Sequence, residues 1–221
     1  MKTNIPADIY LSPYFISRRF EAIREKYGDK QALTLVKLKS EREIWITAAF
    51  TVGLSKLTGK IFWIGAYSED STPDTYAVTF RQRGKGQIKE ITNIEVFEWE
   101  EHSKDSLLDA IRQKLKTKKY PEYFTLLCYA HGHDGKRADL EVIFQALKAE
   151  KLGIAEVWLL SSIEDPINDH TLVRLYPERA RIDFVYEAEV KAKHDQAEII
   201  QPSRGFGTEF VTMGKLRIPI P

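Results

Sequence analysis

Two spacings of apolar residues alternate along the chain, and the switches between them mark its elements. Ser12-Pro13 opens a helix, because proline is pre-set for the first helical position. Ile16, Phe20, Ile23 and Tyr27 then recur at helical spacing until Gly28 stops them. Met1–Leu11 reads as an extended lead-in and Leu33–Leu38 as an extended connection. Ser40 and Glu43 have capping-box spacing ahead of Ile44, Ala48, Val52 and Leu54, which predicts a second helix to about Thr58. Lys60–Tyr67 is β-rich, and the turn-forming Ser71-Thr72-Pro73-Asp74 follows. Thr75–Phe80 and Ile88–Trp99 read as a hairpin around the glycines of Arg81–Gly86.

Ser103 opens a third helix through Leu107, Ile111 and Leu115 that ends before Pro121. Tyr123–Ala130 is a near-continuous apolar run, the mark of a strand buried on both faces. Asp139 caps a fourth helix ended by Gly153, and Ile154–Leu160 is another buried strand. A strand–helix–strand unit predicts a parallel pair with a right-handed crossover. Thr171–Tyr176 and Arg181–Val190 alternate as half-exposed antiparallel strands do. Arg204–Gly207 reads as a turn and Glu209–Met213 as an edge strand, and the two prolines of Leu216–Pro221 exclude a helix there. The fold class is therefore α/β: a mixed central sheet flanked by helices, with extra C-terminal β-strands. Residues 1–165 form the core with its N-terminal helix, and residues 166–221 form a β-rich extension packed on the same domain.

Composition narrows the setting. The chain has 221 residues, 43% hydrophobic and 29% charged, which is globular and not disordered in character. Apolar stretches such as Leu126–Ala130 fall far short of the ~20 residues of a membrane helix. The N-terminal stretch carries Pro6 and Asp8 and no apolar core of a signal peptide, so the expected location is cytoplasmic. Cys128 is the single cysteine and sits in an apolar run, so it reads as a buried, inert thiol. Net charge is +1, so any grip on nucleic acid must come from local patches.

The order helix, strand, strand pair, helix, strand over roughly Ser40–Leu160 resembles the core of the PD-(D/E)xK, or restriction endonuclease-like, nuclease superfamily. The resemblance implies an acid on the first core helix, a Pro-Asp opening the second strand, and an (Asp/Glu)-x-Lys on the third. Carried over by position, Glu43 is the helix carboxylate and Pro73-Asp74 the strand-opening pair. In one register Glu98-Trp99-Glu100 fills the triplet, with glutamate in place of lysine. In the other, Glu95-Val96-Phe97 fills it, and phenylalanine cannot activate water. The resemblance implies Mg²⁺ held by Asp74 and Glu98, with Glu43 and Glu100 completing the catalytic set. Residues two apart share a strand face, so Glu98 and Glu100 can point together, as a hard cation needs.

Each residue also has a plainer explanation. Glu43 fits helix capping, Pro-Asp is a common turn pair, and the strand glutamates suit a solvated face. Arg81, Arg83 and Lys85 crowd the hairpin tip, and Lys114, Lys116, Lys118 and Lys119 crowd the end of the third helix. Both groups suit phosphates, and equally they suit a soluble hairpin and a helix C-terminus. Lys89, at the opening of the third strand, is placed to reach inward from a shifted position. His131-Gly132-His133-Asp134 lacks the further ligands of a metal-hydrolase motif and reads as a polar loop. Nothing matches a phosphate-binding loop, a dinucleotide fingerprint or a serine-hydrolase elbow. Three functions follow: a Mg²⁺-dependent nuclease, the same fold kept inactive as a DNA- or RNA-binding module, or an α/β interaction protein whose C-terminal strands pair copies into a homodimer.

Overall fold

The local signals at the first helix act as their chemistry dictates. The Ser12 side chain accepts from the Phe15 amide at 3.1 Å, Pro13 takes the first helical position, and Gly28 closes the helix at φ 81. The computed structural model describes residues 9–67, 73–83, 86–100, 105–131, 138–162, 165, 167–193, 199–202 and 210–212. Their elements run β1 (Tyr10–Leu11), α1 (Pro13–Tyr27), α2 (Asp29–Thr34), a 3-10 turn (Val36–Leu38), α3 (Lys39–Thr58), β2 (Trp63–Ala66), β3 (Thr75–Arg83) and β4 (Gly86–Glu100). They continue with α4 (Leu107–Thr117), β5 (Phe124–His131), α5 (Leu140–Glu150), β6 (Glu156–Ser162), β7 (Asp169–Tyr176), β8 (Ala180–Val185), α6 (Tyr186–Lys193), β9 (Ile199–Pro202) and β10 (Phe210–Thr212). No helix among the described residues is long and apolar enough to cross a membrane.

The chain divides into two compact units, one of residues 1–92 with 187–221, the other of residues 93–186. Strand pairing runs across residue 165, where the sequence suggested a boundary: β7 and β8 add to β6 inside the second unit. β4 contributes to both, the first unit through Thr92 and the second from Asn93.

In the first unit β9 pairs antiparallel with both β10 and β1, β1 with β2, and β2 with β3. α3 lies against one face of this sheet, and residues 41–55 of it are buried without a break. Thr47 donates to the Glu43 carbonyl at 2.8 Å, so the Thr75 hydroxyl is the donor in the 2.7 Å Thr47–Thr75 contact. Thr75 therefore faces α3, and by alternation Tyr76 and Val78 point to the opposite face, where they cluster with Tyr10. Gly65 is glycine because a Cβ there would lie 2.2 Å from the Tyr76 ring. α1 packs on α3 through Phe20 stacked on Trp45 at 4.6 Å.

In the second unit β4, β5 and β6 are parallel, and β6, β7 and β8 continue antiparallel. The fold class is thus α/β with a mixed sheet. Leu107 and Ile111 of α4 and Ile143 and Leu147 of α5 pack with Leu126, Cys128, Val157 and Leu159. One face of the parallel strands therefore carries the helices, as right-handed crossovers require.

Several expected elements are corrected. Residues 33–38 are the end of α2 and the 3-10 turn, with Leu35 alone extended between them, not an extended connection. α3 begins at Lys39 with no side-chain cap, because the 3-10 turn runs straight into it, so Ser40 and Glu43 form no capping box. α4 is capped by Ser106, which accepts from the Asp109 amide, and Ser103 lies outside the described residues. α5 closes at Lys151, in the left-handed region at φ 49, ahead of Gly153. The strand expected over 181–190 ends at Val185 and gives way to α6, because Tyr186 and Val190 fit helical spacing as well as alternation. The turn at 204–207 and the tail at 216–221 lie outside the described residues.

Candidate functional site

β4 alternates two sets of side chains. Phe97 and Trp99 pack with the α4–α5 apolar cluster, and Glu95 has the same parity, which points a carboxylate at a helix-covered face. Its backbone partner on β5 is Leu126, itself part of that cluster. Glu95 is 1% exposed. A charge in such a place needs partners, and α4 brings them.

Lys114 lies one turn from the end of α4 and Lys118 just past it, four residues apart and so on one side. Both Nζ atoms lie 2.9 Å from Glu95 Oε1, and the Tyr120 hydroxyl donates to the same oxygen at 3.3 Å. Oε2 is buried with no hydrogen-bond partner. Burial pushes the carboxyl up, and hydrogen bonds from Lys118 and Lys114 more than reverse this, so Glu95 ionises below the usual carboxylate range.

The remaining predicted residues are distributed differently. Glu43 and Asp74 belong to the first unit, Glu98 and Glu100 to the second. Glu43 is buried on α3 with Lys39 Nζ 3.2 Å from its carboxylate. Asp74 directly precedes β3 and is half-buried. Glu98, half-buried, has the parity of Ile94 and Val96, opposite to Glu95, and pairs with Tyr129 across the sheet. The Glu100 backbone ends β4 opposite His131, and its side chain is outside the description. Among the described residues no three His, Cys, Asp or Glu side chains gather to hold a metal ion.

Of the hairpin cations, Arg81 Nε lies 3.4 Å from Glu90, which also receives Lys60 at 3.0 Å. Lys89 does not reach toward acids but donates to the Tyr10 hydroxyl at 2.7 Å. The Arg83 side chain, Lys85 and the loop holding His133 and Asp134 lie outside the described residues. Of the four lysines near the end of α4, Lys116 and Lys119 are exposed and have no ion-pair partner among the described residues.

Mg²⁺ prefers several oxygen ligands and retains water. Glu95 does not fit it, since one oxygen already holds two ammonium groups and a phenol and the other is sealed from solvent. The pairing of Lys114 and Lys118 with Glu95 was missed in the sequence because the carboxylate and its cations are 19 and 23 residues apart, on a strand and at a helix end. One signal was available: Glu95 alternates with Phe97 and Trp99, so a buried face carried a charge that had to be matched.

Compared with protein-family models, curated proteins and solved structures, the chain matches none.

Proposed function

We propose that the chain is a nuclease-like, cytoplasmic nucleic-acid-binding module in which the third-strand position of the (Asp/Glu)-x-Lys triplet no longer supports catalysis. The observation that carries this reading is the fate of Glu95 and Phe97. Glu95 spends its charge on Lys114 and Lys118, and Phe97, two residues on and on the same face, packs in the apolar cluster where an activating lysine would have to stand. The element order also supports it: α3, β2 antiparallel to β3, then β4, α4 and β5 parallel to β4. Exposed Lys116 and Lys119 supply phosphate-binding charge on a chain of net charge +1.

A second reading follows from the resemblance, whose acid-x-lysine position is filled by Glu98-Trp99-Glu100 at the C-terminal end of β4. In it, the chain hydrolyses phosphodiester bonds with Mg²⁺, as the resemblance implies. Incubating labelled single- and double-stranded DNA and RNA with Mg²⁺ or Mn²⁺ separates the two. Binding without cleavage, and no metal-dependent rise in Tm, is the expected result. Cleavage lost in Asp74→Ala and Glu98→Ala would establish the second reading instead, and no binding at low salt would remove both.

A further inference from the structure

The Glu95 clamp has an outward side. By drawing Lys114, Lys118 and Tyr120 inward to one buried oxygen, it fixes the chain that leads from α4 to β5. The residues between and after these anchors, Lys116, Lys119 and Tyr123, face solvent. Tyr123 is 64% exposed. Its ring meets Phe124 at a steep angle, with centroids 5.3 Å apart, and Phe124 is itself buried, so the ring is anchored on one side while most of the residue is open to solvent. Four lysines in residues 114–124 stand against Glu122 alone in that segment, so the surface is locally cationic even after Glu95 is counted.

From this we infer that the α4–β5 segment is a binding surface for single-stranded nucleic acid. Lys116 and Lys119 hold consecutive phosphates, and one base stacks on Tyr123. The inference rests on the nucleic-acid reading above and deepens it by naming strand type and contacts. A single strand is the occupant because its bases present free π-faces, whereas a duplex keeps them stacked. Exposed ring and exposed ammonium groups on one short segment are the two components such binding combines. Helix-dipole complementarity alone accounts for lysines at a helix end, but it leaves the outward tyrosine unexplained.

The test uses the full chain and a labelled 12-nucleotide single strand carrying one 2-aminopurine, titrated across a range of salt. For Lys116→Ala with Lys119→Ala, the log–log salt slope should flatten by about 1.4, because each single-strand phosphate contact contributes about 0.7. Tyr123→Leu should weaken binding by roughly 5- to 150-fold with the slope unchanged. It should also abolish the 2-aminopurine quenching that stacking produces, a signal that a purely structural tyrosine would not move. Equal urea midpoints for the variants and the parent verify that the exposed substitutions leave the fold intact. If the parent binds the strand and all three substitutions bind as the parent does, this inference is overturned while the nucleic-acid reading stands. If the parent binds neither strand type at low salt, both fall together. Duplex binding as tight as single-strand binding, untouched by Tyr123→Leu, would also overturn it.

Discussion

Arg19 of α1 and Glu41 of α3 meet through two parallel hydrogen bonds, Nε to Oε2 at 2.7 Å and Nη2 to Oε1 at 2.6 Å. Both side chains are buried, so the Glu41 carboxylate depends on Arg19. Arg19→Ala should destabilise the protein by about 3–5 kcal/mol by leaving an unmatched buried carboxylate. Replacing both with apolar residues of similar volume should cost far less. Urea midpoints of the two variants check the contrast, and equal losses would show that packing, not charge, binds α1 to α3.

The Glu95 clamp carries a similar asymmetry. Lys114→Met with Lys118→Met strands the carboxylate and should cost roughly 3 kcal/mol. Glu95→Leu frees two lysines that are 25% and 47% exposed and can turn to water, so it should be close to neutral. Denaturant unfolding of both variants decides. A large loss in Glu95→Leu alone would give the carboxylate a role beyond matching the lysines.

His170 supplies a pH dependence. Burial holds its pKa down to about 4 from 6.5, so the folded state keeps the ring neutral where the unfolded chain protonates it. Its contribution is complete above about pH 6.5 and is lost progressively as the pH falls toward 4, by roughly 3 kcal/mol in total. Glu95, whose carboxyl is held below 4.5, adds its own loss only below that value. Unfolding free energy measured from pH 7.5 to 4.5 should fall in the parent and stay flatter in His170→Leu.

Cys128 should resist thiol reagents in the folded protein, because it is fully buried and burial pushes its pKa well up. One thiol per chain should react once denaturant is added. Rapid labelling without denaturant would place the second-unit core in frequent exchange with an open form.

Gly65→Ala puts a methyl group onto the Tyr76 ring and should cost about 1–3 kcal/mol. Tyr76→Ala in the same chain removes the obstacle, so the double variant should be more stable than the summed single losses. Simple additivity would mean that the ring moves aside freely.

Legibility in the sequence followed the range of the interactions. α1 and α5 could be bounded at their starts because Ser12-Pro13 and Asp139 act on amides two or three residues away. α3 was misread at its start because the preceding turn replaced the work of a cap, which no spacing reveals. The strand after Ala180 was overextended because Tyr186 and Val190 satisfy both periods, and only packing chooses between them. The parallel order of β5 and β6 was readable from a capped helix between two apolar runs. The lysines were noticed as a group, yet which two turn inward was set by a carboxylate on another element. Proximity across a fold is the part of a site that a sequence carries least directly.

The division of the chain bears on how it leaves the ribosome. Residues 93–186 are contiguous, whereas the other unit is closed by segments from both ends. Tyr10 pairs with Ile200, so β1 waits for a partner made 190 residues later. At ~5–20 residues per second that wait lasts roughly 10–40 s. Through it the nascent chain carries an unsatisfied strand edge, the surface on which unfolded chains cross-pair. The contiguous unit can meanwhile complete itself and shield its own strands. Slow elongation should therefore favour aggregation of this protein through its N-terminal region, the reverse of the benefit that slow synthesis gives chains whose domains follow one another in order.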